Sequence, residues 1–173
     1  MAQHERHPDL RGVLWAPWRR GYVVSSPRGC FLCKAIKTNA PTVVFRGSRA
    51  FVGLNLFPYS NGHLMVMPVR HVGDICRLTE SEEREIARLV RLSVRALNDV
   101  LRPHGMNIGM NLGRCAGAGL TGHLHIHIVP RWEGDTNFMP VIAGTKVIPQ
   151  SLDELRDLLS RAFRRRCRSH VHR

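Results

Sequence analysis

The stretch Gly122-His123-Leu124-His125-Ile126-His127-Ile128-Val129-Pro130 sets the fold and the chemistry of this chain. Polar and apolar residues alternate with a period of two, the geometry of a β-strand, so the three imidazoles share one face and Leu124, Ile126 and Ile128 share the other. The aliphatic face belongs in a core. The imidazole face gives up the burial that Val or Ile would supply, and three adjacent rings titrating near neutrality repel one another when charged. One histidine on a strand is ordinarily structural. Three in register point either to a bound metal or to chemistry on a substrate.

Composition narrows the partners. The 173 residues suffice for one domain with a full core. The polar start and the lack of a long apolar run are read as no secretory signal and no membrane span. Five cysteines, two of them in Cys30-x-x-Cys33, suit a reducing compartment, so a cytoplasmic protein is expected. Lys and Arg number 26 against 13 Asp and Glu, a formal charge of +13, which favours anionic partners. No aromatic RNA-binding signature or DNA-reading helix accompanies that charge, and nucleic acid is not the expected partner. Three regions are expected: an N-terminal arm over 1–25 with Trp15 and Trp18 packed on the domain, a single domain over 26–160, and a solvated basic tail over 161–173.

Within the domain, Val43–Phe45 and Ala50–Asn55 read as strands. The second forms a hairpin with His63–Pro68 across a turn marked by Pro58, Ser60, Asn61 and Gly62. Thr79 and Glu82 make a capping box ahead of Ile86, Leu89, Val90, Val94, Leu97 and Leu101 at helical spacing. This helix carries more apolar positions than one sheet face needs, Leu92 among them. Met106–Leu112 is a further strand, and Ser151 with Glu154 starts a last helix. The Cys pair falls in a Gly- and Pro-flanked loop. The layout is α+β: a mostly antiparallel sheet with one long helix and a C-terminal helix on one face.

The glycine-rich loop from Gly113 to Gly122 feeds directly into the histidines. Gly113, Gly117, Gly119 and Gly122 let backbone approach a ligand and aim N–H groups at an anion. A phosphate held there meets an imidazole, and a neutral imidazole can attack phosphorus to form a covalent intermediate. The competing reading is a catalytic metal on His-x-His with a third ligand. The Cys pair is an independent metal signal that needs two more ligands, from His71, His63, His123, His4 or His7. Cys167, His170 and His172 lie in the basic tail and are set aside.

His123-Leu-His-Ile-His-Ile-Val resembles the signature of the histidine triad superfamily, and Asn55-x-x-Pro58-x-x-x-Gly62-His63 resembles its ribose-side segment. The flanks Leu14-Trp-Ala-Pro-Trp-Arg19, Gly109-Met-Asn111-Leu-Gly113 and Pro130–Phe138 resemble the branch that holds bacterial diadenosine polyphosphate phosphorylases. The resemblance implies a histidine-triad fold with His125 as nucleophile, His127 and His123 beside it, and a substrate site drawn from Asn55, His63, Asn111, Gly117, Gly119 and Thr121. It implies a closed structural zinc site of Cys30, Cys33, His71 and His123, no organic cofactor, and a homodimer. The implied reaction is cleavage of a dinucleoside polyphosphate at the α-phosphorus, with inorganic phosphate as acceptor. Alternatives are a hydrolase using water, including a nucleoside phosphoramidate hydrolase, and a non-catalytic nucleotide- or RNA-binding module. One departure bears on the acceptor: Gly119-Leu120-Thr121 stands where many family hydrolases carry Gln with Ser or Thr.

Overall fold

Strands β2 (Ala50–Leu54) and β3 (Leu64–Pro68) are buried along their whole length, so their alternating side chains supply two cores rather than one. The computed structural model describes residues 29–135 and 148–168. Around the hairpin stand α1 (Phe31–Thr38), β1 (Val43–Arg46), a one-turn 3-10 helix (Ile75–Arg77), α2 (Glu80–Leu101), β4 (Gly105–Met110), β5 (Ile126–Arg131) and α3 (Leu152–Arg168). The five strands form one sheet in the order β1-β2-β3-β5-β4, with every neighbouring pair antiparallel. Ala50, Val52, Leu54, Leu64, Val66, Ile126 and Ile128 pack with α2 and α3 on one face. Phe51, Met65 and Met67 pack with Leu32 and Ile36 of α1 on the other.

The strands and the long helix stand where the pattern puts them, and four expectations change. The Cys pair is not in a loop: Cys30 caps α1, its Sγ accepting from the Cys33 N–H at 3.4 Å, and α1 covers the face expected to carry no helix. The histidine strand begins only at Ile126, because its pairing with β3 and with β4 ends there. Leu92 is no surplus on α2, since α3 lies against α2 and closes a core around it. The chain from residue 161 is not a solvated tail up to Arg168. Helix α3 continues through it, Ala162 and Phe163 are fully buried, and Phe163 stacks on Phe45 at 5.3 Å between ring centroids. The arginine density there hides two apolar positions at the right spacing. The N-terminal arm with its tryptophans lies outside the described residues.

The start of α2 couples two parts of the chain. Thr79 Oγ1 accepts from the Glu82 N–H at 3.3 Å, and the Glu82 carboxylate accepts from the Thr79 N–H at 2.9 Å, the expected capping box. Glu82 is buried, and Arg70 beyond β3 donates to it through Nε at 2.9 Å and Nη2 at 2.8 Å. The hydrogen bonds from Arg70 outweigh desolvation and pull the carboxyl from its ordinary 4.5 down to about 2. At the other end Arg102 adopts φ 47° and closes α2 ahead of Pro103, which cannot continue it.

Because the folded-state pKa is depressed, the stabilisation from Glu82 is complete above pH 4.5 and is lost as pH falls towards 2. Glu82→Gln lowers stability at neutral pH by about 1.5–3 kcal/mol, as expected for lost charge-assisted hydrogen bonds. Chemical denaturation across that pH range checks this, with the gap between the two proteins closing at the acid end.

Candidate functional site

Residues 123–125 precede β5 without a sheet partner on either side, and the Leu124 N–H donates instead to Val72 O at 2.7 Å. Backbone carbonyls then fix the histidine tautomers. A carbonyl only accepts, so His125 Nδ1, 2.9 Å from His123 O, carries the proton and Nε2 keeps its lone pair. His123 Nε2 donates to Pro68 O at 2.8 Å, which leaves its Nδ1 bare.

His63, fully buried at the start of β3, sets the third tautomer. Its Nδ1 accepts from the Tyr59 N–H at 3.0 Å, with the Asn55 amide Nδ2 at 3.3 Å. The neutral ring therefore carries its proton on Nε2 and donates to His127 Nδ1 at 2.9 Å, so His127 presents an Nε2–H. The His125 and His127 rings meet edge to face at 4.9 Å. A bare imidazole nitrogen thus stands next to a ring that donates.

Asn55 is held as well, its Oδ1 accepting from the Phe57 N–H at 3.0 Å. It lies on the rim of an apolar cavity of about 570 Å³ between α1 and β2, lined by Phe31, Leu32, Phe51, Leu56, Phe57 and Met65 among others. The glycine-rich loop is only partly as expected. Gly113 and Gly117 take φ of 83° and 90°, which favours glycine. The Gly117 N–H, however, donates to Arg114 O at 2.9 Å and so holds the loop's own turn rather than facing an anion. The Asn111 amide stands 3.7 Å from where a Cβ would project at Gly117, which makes the two neighbours. Gly119 and Thr121 are exposed on the same loop.

Cys30, Cys33, His71 and His123 bring four ligand atoms within 4.8 Å of one another. Cys30 Sγ is 3.2 Å from His123 Nδ1, and Cys33 Sγ is 3.3 Å from His71 Nδ1 and 3.4 Å from His123 Nδ1. Tetrahedral coordination with ordinary metal–sulfur and metal–nitrogen bonds sets such ligands about 3.3–3.8 Å apart. These three separations lie close to that range, all four ligand atoms fall within 4.8 Å of one another, and the His123 nitrogen facing the cluster is the one without a proton. Burial and the adjoining Cys30 push the Cys33 thiol up, so a metal displaces a proton there. Of the candidate ligands, His63 does not join the cluster but serves His127, and His4 and His7 lie outside the described residues.

Neither Tyr59 nor Pro68 was legible as a site residue, because each contributes a main-chain group. The cavity wall built by α1 was missed with the helix; the spacing of Leu32 and Ile36 behind Cys30 was its available signal.

Comparison with known proteins gives one consistent result. A family model described as the HIT domain matches residues 37–134. The AP-4-A phosphorylase of Mycobacterium tuberculosis (strain ATCC 25618 / H37Rv) is 41% identical over 164 residues, covering 88% of this chain and 84% of that protein. The adenosine 5'-monophosphoramidase hnt1 of Schizosaccharomyces pombe is 29% identical over 103 residues, 59% of this chain and 74% of its own length. A hypothetical histidine triad nucleotide-binding protein from Sulfolobus tokodaii superposes with a TM-score of 0.66 at 25% identity, covering 79% of this chain and 93% of that one.

The cluster predicts about one tightly bound divalent ion per chain by elemental analysis. Cys33→Ser, which removes one of four ligands, should drop the metal content well below that and lower Tm by several degrees. Full metal content in the variant would contradict the ligand assignment.

Proposed function

The chain belongs to the HIT domain family, and on that premise we propose that it cleaves dinucleoside polyphosphates at the α-phosphorus through a nucleotidyl-His125 intermediate. The observation that carries this reading is the bare Nε2 of His125 beside the Nε2–H of His127. His125 Nε2 attacks the α-phosphorus, a nitrogen–phosphorus bond forms, and the phosphoanhydride oxygen leaves with its electron pair on the departing nucleotide. His127 donates to a phosphate oxygen as charge develops, and the His63 ring behind it maintains that donor. The His123 carbonyl accepts the His125 Nδ1–H throughout and favours the cationic ring of the intermediate.

One nucleoside enters the apolar cavity between α1 and β2, with Asn55 at its rim bonding the ribose hydroxyls. Donors at half-buried Asn111 and exposed Gly119 and Thr121 hold the phosphates. Inorganic phosphate is the acceptor: it attacks the intermediate and restores His125 Nε2. The exposed glycine-rich loop leaves room for that dianion, and positioning it removes much of the entropic barrier that favours water in bulk. The 41% identity to a protein named AP-4-A phosphorylase supports the same acceptor.

We assign zinc to the two-sulfur, two-nitrogen cluster, a closed donor set that fixes α1 to the sheet and keeps no open position for catalysis. The catalytic unit begins near residue 26 and includes α3. None of the five cysteines is in a disulfide, consistent with a cytosolic setting; no helix among the described residues is long and apolar enough to cross a membrane. Assembly is a homodimer through β4, an edge strand beyond β5 that leaves Ile108 half exposed and Leu112 nearly so.

With phosphate present, diadenosine tetraphosphate should give ADP and ATP. AMP and ATP at a rate independent of phosphate would make the protein a hydrolase. His125→Ala should lower turnover by about a thousandfold or more while nucleotide affinity stays within about tenfold, and wild-type protein quenched in mid-reaction should carry an acid-labile nucleotide. For assembly, light scattering should give twice the chain mass at micromolar concentration, and Ile108→Lys should shift it towards the monomer.

A further inference from the structure

Helix α3 ends in a row of cations that the proposed reaction does not use. Arg161, Arg164, Arg165 and Arg168 follow the spacing i, i+3, i+4, i+7 and share one face over about 10 Å of helix. With Val100 of α2 and Leu158 of α3 they line a cavity of about 530 Å³. Both helices pack on the sheet face opposite the imidazoles, so this groove is separate from the histidine site. Among the described residues, no carboxylate lies within ion-pair distance of these four guanidinium groups. The acid in the groove, Asp99, is already held by Arg166 through Nε at 2.7 Å and Nη2 at 2.5 Å.

Neighbouring arginines three and four apart repel, and a helix C-terminus needs only one or two cations to complement its dipole. A purely solvated face would stand convex in water. These groups instead surround a concavity floored by aliphatic carbon, where the field of like charges is focused. We propose that the α2–α3 groove is a second anion site that binds a linear oligophosphate. Planar guanidinium forks match phosphate oxygens two at a time, and successive forks about 5–6 Å apart suit a chain carrying charge along its whole length. Among the described residues no aromatic side chain lines the groove, so none of them stacks a base there, which favours phosphate chains over single-stranded nucleic acid. The chain can be inorganic or the phosphate arm of a nucleotide, since the groove reads only the anion.

The test is calorimetric titration of the full-length protein, saturated with AMP to fill the histidine site, using inorganic tripolyphosphate and then ATP. About one equivalent of tripolyphosphate should bind, with affinity falling steeply as salt rises. ATP binding equally well under AMP saturation identifies the nucleotide arm as a second source; ATP failing to bind restricts the site to inorganic chains. Arg161→Gln with Arg165→Gln, both exposed residues, should weaken tripolyphosphate binding at least tenfold and leave Tm and diadenosine tetraphosphate turnover unchanged. Arg77→Gln with Arg84→Gln removes the same charge far from the groove and should change binding less than twofold. Equal losses in the two double variants, or no binding to wild type, would overturn the proposal. So would a single-stranded RNA that binds more tightly than oligophosphate and depends on Arg161 and Arg165.

Discussion

The imidazole of His123 is the joint on which the site depends. Its Nε2–H bonds to Pro68 O at the end of β3, its Nδ1 faces Cys30 and Cys33, and its own carbonyl accepts the Nδ1–H of His125. One buried residue therefore ties the sheet, the cysteine–histidine cluster and the His125 ring together. Burial, with His71 and His125 nearby, lowers its pKa from the ordinary histidine value and so favours the neutral ring. A proton on Nδ1 would meet the cluster edge, and a flipped ring would lose Pro68. The arrangement tolerates one tautomer, and the carbonyl of the residue so held orients the His125 ring.

The same economy holds at His63. A side chain inside the hairpin core is normally apolar, and burying an imidazole is unfavourable unless both nitrogens are bonded. Here they are, to the Tyr59 N–H and to His127. The sheet thus carries polarity inward through a chain of rings, with the Tyr59 ring tilted against His63 at 4.7 Å between centroids.

Much of this was legible in the sequence, for identifiable reasons. Period-two alternation, the Pro58–Gly62 turn and the Thr79–Glu82 box are local signals, and local signals placed the hairpin and α2. The motif resemblance named the four residues whose ligand atoms converge within 4.8 Å, although they come from three separate parts of the chain. What was not legible depends on tertiary neighbours. Cys30 reads as a loop residue until its sulfur is seen capping α1. Arg161–Arg168 reads as a tail until Ala162 and Phe163 are found against β1. Gly117 reads as an anion donor until its N–H is found in the loop's own turn.

Helix α1 has eight residues, too few to hold its shape alone in water. It is nevertheless one wall of the apolar cavity, through Phe31, Leu32, Lys34, Ala35 and Thr38. Its N-cap is Cys30 and its first turn holds Cys33, the two cysteines of the cluster. Whatever occupies the cysteines and whatever occupies the cavity therefore act on one small ordering equilibrium. Ligands that each order α1 must, by thermodynamic reciprocity, raise one another's affinity by the same factor. Two sites that share no atom communicate because the segment between them is too short to be indifferent to either.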